Sequence, residues 1–198
     1  MNVLPESWPG WIAAAIALFW FVGAYNRIVR LRSAALQAYA ALDAALVRQI
    51  DYVTASTAEA PEDLEHPPGR YSNASLLAAV GQLTTLLSAT RLRPLDPTGI
   101  AALGTALHVF LAAWEGLHPG EVVSFGADGT LSRPASLGDR EEPVGMPLPL
   151  AWPEPSALAE IARGQFNLAV TQYNQAIAQF PALLVAWIMQ LRPAAPLR

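Results

Sequence analysis

The stretch WIAAAIALFWFVGAYNRIVRLRSAALQAYAALDAALVRQIDY, residues 11–52, combines two apolar patterns in one uninterrupted run. The first pattern, up to Ala24, contains no charged or polar side chain. With the flanking Trp8 and Tyr25 its apolar length is about 18 residues, within the range of roughly 17–25 residues that spans a bilayer. Aromatic residues at both ends are typical of membrane interfaces. We therefore expect residues 1–25 to form a transmembrane anchor.

A cleaved signal peptide and a buried core helix are the alternatives for this segment. A signal peptide begins with a positively charged region, whereas the residues before Trp8 include Glu6 and no arginine. A core helix of a globular protein is usually apolar on one stripe only. Arg27, Arg30 and Arg32 follow the segment, so the positive-inside rule predicts an external N-terminus and a cytoplasmic C-terminal part.

The second pattern begins at Asn26 and continues to about Thr57 without proline or glycine. Small and apolar residues recur there at alternating steps of four and three, which is typical of the a and d positions of packed helices. These residues are Leu31, Ala35, Ala38, Leu42, Ala45, Gln49 and Tyr52. We expect one long helix, half in lipid and half in a helical bundle.

Two further helices are predicted between proline-rich breaks. One runs from about Ala74 to Leu92, with Ser72 or Asn73 as its N-cap. The next begins at Asp96-Pro97 and ends near Leu117. Together with a last helix opened by Pro155-Ser156, they predict an all-α fold. Residues 26–198 would form an antiparallel bundle of about four long helices.

The segment 119–155 interrupts this bundle with many prolines and glycines. Its sequence allows either a short hairpin around Asp128-Gly129 or an irregular loop. Loops of this length are usually functional or mobile, so a loop that closes over a site is one interpretation of this segment.

The last helix contains QFNLAVTQYNQAIAQFP, residues 165–181, in which residue types repeat every seven positions. The spacing of four and three predicts that one column faces the core: Phe166, Val170, Tyr173, Ile177, Phe180 and Leu184. Asn167 and Asn174 flank this column. They either hydrogen-bond a neighbouring helix and fix its register, or form a stripe that binds a partner. Pro181 is expected to kink the helix or restart it after Phe180.

The composition gives little evidence for catalysis, metal binding or nucleic-acid binding. The chain has no cysteine, all of its cationic side chains are arginine, and its net charge is -4. His108 and His118 are too far apart along one helix for a metal pair, and His66 lies in a proline-rich loop. We expect no catalytic residue, no metal site, no cofactor and no nucleic-acid partner. The 53% hydrophobic and 14% charged residues fit a membrane segment or a large buried surface.

The two ends of the chain resemble one known family. FNLAVTQYNQAIAQFPALLVAW (166–187) is similar to the C-terminal signature of the LemA family, and YNRIVRLRSAALQAYAALDAAL (25–46) to the region after that family's membrane helix. The matching positions that we take as candidate motif or interaction residues are Tyr25, Asn26, Asp43, Phe166, Asn167, Tyr173, Asn174, Phe180 and Pro181. The segment after Asp43 and the longer 119–155 loop depart from the family pattern, so the chain is identified as a divergent or LemA-like member.

The resemblance implies a bacterial inner-membrane protein with a cytoplasmic helical bundle, and it supplies no mechanism. The leading hypothesis is a membrane-anchored, non-enzymatic scaffold or protein-interaction module. One alternative is an enzyme or ligand-binding protein that uses residues 119–155 as a lid. Another is a bundle that self-assembles through its heptad positions.

Overall fold

The computed structural model describes residues 8–59, 72–118, 124–125, 131–132 and 153–198. These residues form five α-helices and one pair of two-residue strands, so the fold class is all-α. In chain order the elements are α1 (Trp8–Glu59), α2 (Asn73–Leu92), α3 (Pro97–Leu117), β1 (Ser124–Phe125), β2 (Leu131–Ser132), α4 (Pro153–Ala178) and α5 (Ala182–Ile188).

The first helix, α1, is continuous over 52 residues, as the absence of proline and glycine after Ala24 predicts. All side chains from Trp8 to Trp20 are exposed, and regular burial begins only at Ala24. From there the predicted a and d positions turn inward, with Ala35, Leu42 and others forming one wall of the core. The helix thus has an exposed apolar part and a packed part.

Two described helices are long and apolar enough to cross a membrane. They are α1, with a mean hydropathy of 1.6 in its most apolar window, and α3, with 1.5. The two differ in burial, because 6% of that window is buried in α1 and 44% in α3. Nearly half of the apolar window of α3 is therefore buried inside the protein, whereas almost none of the α1 window is.

The second and third helices form a hairpin with well-defined caps. Ser72 accepts a hydrogen bond from the Ser75 backbone N–H at 3.2 Å, and the Ser75 hydroxyl lies 2.9 Å from the Ser72 backbone nitrogen that donates to it. This reciprocal pair is a capping box. Asp96 accepts from the backbone N–H of Gly99 at 2.9 Å and starts α3. The cap positions predicted from the sequence are therefore confirmed.

The main helix pairs are α1 with α4 and α2 with α3, and buried residues of all five helices belong to one core. The helix α4 runs antiparallel to α1, since Tyr39 meets Phe166 near the middle and Arg27 meets Gln179 at one end. Tyr39 also shares a 2.7 Å hydrogen bond with Thr90, which ties α1 to α2. In the described part of the chain α3 and α4 do not pack directly against each other.

The last predicted helix is two helices separated by residues 179–181. The Phe180–Pro181 peptide bond is cis. The predicted core column is buried in α4, at Phe166, Val170, Tyr173 and Ile177.

Beyond the break, however, the prediction is wrong. Phe180 is 71% exposed and Leu184 is also exposed, while Ala182, Val185 and Ala186 face inward. The break at Pro181 changes the rotational phase of the chain, so α5 does not continue the heptad of α4.

The strands β1 and β2 pair antiparallel, with Ser124 opposite Ser132 and Phe125 opposite Leu131. They flank the Asp128-Gly129 sequence, which agrees with the hairpin interpretation. The remainder of the predicted 119–155 loop lies outside the described residues, except for the first residues of α4, which begins at Pro153. The predicted loop at 60–71 also lies outside the described residues.

Candidate functional site

An extended C-terminal segment, residues 191–198, fills the space between α3 and α4. After α5 the chain turns back at Gln190, whose φ of 51° is left-handed, and the Leu191 N–H donates to Ala186 O at 2.9 Å. Ala194 and Leu197 are then buried on the helices. We call the space that holds this segment the interaction groove.

Asn167 and Asn174, on α4, bind the backbone of the C-terminal segment. Asn174 Nδ2 donates to Ala194 O at 2.7 Å, and the Ala194 N–H donates to Asn174 Oδ1 at 2.9 Å. Asn167 repeats the arrangement with Leu197, at 2.9 Å to its O and 2.7 Å from its N. Each carboxamide therefore satisfies both the donor and the acceptor of one backbone residue, as a neighbouring β-strand would.

The spacing of the two asparagines matches the spacing of their targets. Seven residues of α-helix advance about 10.5 Å, and three residues of an extended chain with three residues per turn advance about 9 Å. Asn167 and Asn174 are seven apart, while Ala194 and Leu197 are three apart. The two asparagines thus bind backbone groups three residues apart in a segment that runs antiparallel to α4.

Tyr173 adds a third backbone contact at the start of the segment. Its hydroxyl donates to Arg192 O at 3.1 Å, and the side chain is otherwise buried. Burial raises the pKa of Tyr173, and the positive charge of Arg32 opposes that shift. The neutral hydroxyl is the form that donates this hydrogen bond.

The opposite wall of the interaction groove is α3, and Gly104 lets the segment approach it closely. A Cβ atom at position 104 would lie 2.9 Å from Arg198 O and 3.4 Å from Leu197 Cδ1. Because real Cβ atoms are not found that near to a backbone oxygen, any larger residue would displace the segment or α3. The C-terminal segment therefore takes the place of direct packing between α3 and α4.

These contacts correct the interpretation of the asparagine column. Asn167 and Asn174 do not bind a neighbouring helix, which the register hypothesis required. Their partner is an extended segment of the same chain. The sequence analysis missed Gly104, Ala194 and Leu197. The sequence offered two signals for this segment. Pro193 and Pro196 favour an extended chain, and the three-residue spacing of the bound positions matches the seven-residue spacing of the two asparagines.

The other positions that carry the sequence resemblance lie apart from the groove. Phe166 is fully buried and meets Tyr39 edge to face, with ring centroids 5.9 Å apart. Asp43 pairs with Arg91 at 2.8 Å and joins α1 to α2. Tyr39 has a raised pKa because it is buried, with a smaller opposing effect from its hydrogen bond to Thr90. These residues hold the helices together.

Tyr25, Asn26, Phe180 and Pro181 lie at the end of the packed helices from which the exposed part of α1 emerges. Tyr25 and Asn26 are exposed. Phe180 meets Trp20 edge to face at 5.0 Å. The candidate positions therefore lie in three places. Some pack between the helices, some bind the C-terminal segment, and the rest lie beside the apolar part of α1.

The described residues contain no group of three His, Cys, Asp or Glu side chains that could hold a metal ion. His108 and His118 both lie on or next to α3, and His66 falls outside the described residues. The side chains that bind the C-terminal segment supply amide groups, from Asn167 and Asn174, and the hydroxyl group of Tyr173.

Comparison of the chain with protein-family models, with characterised proteins and with solved structures gives no match.

Proposed function

We propose that the protein is a membrane-anchored, non-enzymatic interaction module of the LemA-like type, with the interaction groove as its binding element. The observation that carries this proposal is the pair of carboxamides that bind Ala194 and Leu197 through backbone atoms alone. Binding through main-chain hydrogen bonds is how many modules capture extended peptides. The C-terminal segment is then an internal occupant that an extended partner segment displaces.

The anchor in this proposal is residues 1–25, in a single-pass arrangement. Its support is the exposed apolar part of α1 together with Arg27, Arg30 and Arg32, which follow it directly. In this proposal, which follows the positive-inside rule, the N-terminus lies outside a bacterial inner membrane and the helical bundle lies in the cytoplasm. The interaction groove then opens toward the cytoplasm and its partner is a protein there.

The chemistry of the groove defines the partner. Asn167 and Asn174 need a free N–H at two positions three residues apart, so neither position can be proline. Both positions are buried, and one of them faces Gly104, so a small residue and an apolar residue fit best. The partner is therefore an extended, proline-containing segment similar to LRPAAPLR (191–198).

The test is binding of this segment supplied as a separate peptide. A chain that ends at Gln190, purified in detergent, is titrated with labelled LRPAAPLR. We expect saturable binding that becomes about tenfold weaker with Asn174→Leu, because two hydrogen bonds of about 0.5–1.5 kcal/mol each are lost. Gln172→Leu, on the exposed side of the same helix, is the matched control and leaves binding unchanged.

Two peptides separate backbone recognition from general apolar binding. Replacing Ala194 by proline removes the N–H that Asn174 Oδ1 accepts, and we expect about tenfold weaker binding. Replacing Ala195 by proline leaves both recognised amides in place, and we expect little change. Equal affinity of the two peptides contradicts the proposal. So does a chain ending at Gln190 that loses its helical circular dichroism, since the segment is then only a structural part of the bundle.

A further inference from the structure

The short helix α5 presents a large apolar surface at the end of the packed helices. Its outer side and the residues that flank it carry no charge. The exposed side chains are Phe180, Leu183, Leu184, Trp187, Ile188 and Met189, with Trp187 79% exposed. We call this surface the α5 face. Contiguous exposed apolar patches of this kind mark interaction sites in soluble proteins, so the α5 face needs an occupant.

The α5 face is continuous with the exposed apolar part of α1. Trp20 meets Phe180, which directly precedes α5, edge to face, and α5 itself also contacts α1. Trp20 lies five positions before Tyr25, which is about 7.5 Å along a helix. The α5 face is therefore level with the last turns of the proposed anchor. Amphipathic helices that lie in a membrane interface bury their apolar side to a similar depth, about 5–10 Å.

The packing of α5 has the pattern of a helix in lipid. Its inward side consists of Ala182, Val185 and Ala186, whereas its large side chains point outward. A helix in a water-soluble core has the opposite arrangement. In membranes, small residues mediate helix contacts and large apolar residues face the acyl chains.

Charge on the water side of the α5 face fits a membrane surface. Arg27 lies beside Gln179 with 3.5 Å between Nη2 and Oε1, and Arg32 and Arg192 line one shared cavity of about 350 Å³. A second cavity, of about 930 Å³, extends from Trp187 on the α5 face to Arg192. Arginines near a membrane surface are attracted by anionic headgroups.

We propose that the α5 face inserts into the membrane leaflet that lies against the bundle, where Arg27, Arg32 and Arg192 contact anionic headgroups. The protein then has a second membrane contact besides its anchor, and this contact fixes the orientation of the bundle on the membrane. The inference rests on the proposed anchor at residues 1–25. The competing occupants of the α5 face are a second copy of the chain and another protein.

The test uses single cysteines, because the natural chain contains none. Trp187→Cys in the full chain is labelled with a nitroxide and reconstituted in vesicles of phosphatidylcholine and phosphatidylglycerol. Collision with oxygen reports on lipid, and collision with a water-soluble nickel complex reports on water. We expect Trp187→Cys to collide more with oxygen than with nickel. Leu184→Cys, a second exposed position of α5, is expected to give the same result if the first variant folds poorly.

Two further positions are the controls. Ile16→Cys lies in the proposed anchor, and Leu77→Cys is 47% exposed near the start of α2, far from the arginines of the proposed headgroup contact. We expect oxygen to dominate at Ile16 and nickel at Leu77. If the labels on α5 collide mainly with nickel while the label at Ile16 collides mainly with oxygen, this inference is overturned and the anchor stands. If the label at Ile16 also collides mainly with nickel, the anchor itself is overturned. Labels on α5 that are shielded from both reagents indicate a protein interface and also overturn the inference.

Discussion

The second half of α4 and the α5 region have similar apolar sequences and opposite environments. Between Phe166 and Ile177 the aromatic and aliphatic column is buried against α1. Between Phe180 and Met189 the large apolar residues are exposed, and the small ones are buried instead. The two regions are separated by only a short break at Pro181, so the difference arises from rotation of the chain and from position along α1.

This contrast shows that an apolar stripe identifies a helix face and does not identify what covers it. The α4 stripe meets the packed part of α1 around Tyr39. The α5 stripe lies beside the apolar part of α1 around Trp20 and faces away from the protein. In our proposal the medium on that side is lipid, and the large outward residues then satisfy the same hydrophobic requirement as the buried ones.

The largest expected effect comes from truncating one aromatic residue in each region. Phe166→Ala removes a fully buried ring and leaves a cavity, so we expect the free energy of unfolding to fall by about 3–5 kcal/mol. Phe180→Ala removes an exposed ring whose described aromatic contact is Trp20, and we expect a loss of about 1 kcal/mol. Denaturant unfolding in detergent, followed by helical circular dichroism, measures both. Equal losses of unfolding free energy in the two variants would contradict the different environments of the two regions.

Most of the fold follows from the sequence, because its signals are local. The uninterrupted α1, the Ser72 and Asp96 caps and the inward column of α4 all result from residue spacing and cap chemistry. The prediction was wrong at Phe180 and Leu184, since the heptad was extended across a proline that changes its phase.

The groove was the harder part to predict. Asn167 and Asn174 stood out from the sequence, but their partners are backbone atoms of Ala194 and Leu197, and backbone atoms have no residue-type signature. The short C-terminal segment also lacks the periodicity that reveals a helix or strand. In the sequence, α4 and the C-terminal segment are connected only by matching spacings, seven residues between the two asparagines and three between the residues they bind.

An intermediate effect is expected at Gly104, which tests how closely the groove holds its segment. Gly81 on α2 is the matched control, because a Cβ there has no neighbour within 4 Å. Gly81→Ala should raise the free energy of unfolding by about 0.5–1 kcal/mol through helix propensity. Gly104→Ala should lose this gain, because its Cβ would lie 2.9 Å from Arg198 O. The same unfolding assay compares them.

The chain that ends at Gln190 completes this test as a double-mutant cycle. Without the C-terminal segment, Gly104→Ala meets no Arg198 O and should stabilise the chain as Gly81→Ala does. If Gly104→Ala is equally unfavourable in the shortened chain, the crowding comes from the helices themselves. That result would contradict the placement of the segment against α3.

The smallest expected effect is a pH dependence of stability that comes from the buried tyrosines of α4 and of the part of α1 packed against it. Burial raises the pKa of Tyr173 above the ordinary value of about 10. The folded protein therefore keeps this proton when the unfolded chain has already lost it. The resulting stability is complete below pH 10 and is lost as the pH rises through the folded pKa. A phenolate also cannot donate the hydrogen bond to Arg192 O.

Tyr173→Phe is the variant that isolates this contribution. At pH 7 we expect it to lower the free energy of unfolding by about 0.5–1.5 kcal/mol, because it removes one hydrogen bond. Above pH 10 its stability should fall less steeply than that of the natural chain. Tyr39→Phe should reduce the slope as well, since the pKa of Tyr39 is also raised by burial, but without weakening the C-terminal segment. Peptide-binding assays at pH 7 and pH 10.5 with the chain ending at Gln190 distinguish the two tyrosines, because Tyr173 contacts the C-terminal segment directly. A Tyr173→Phe slope equal to that of the natural chain would show that Tyr173 ionises without effect on the buried column of α4.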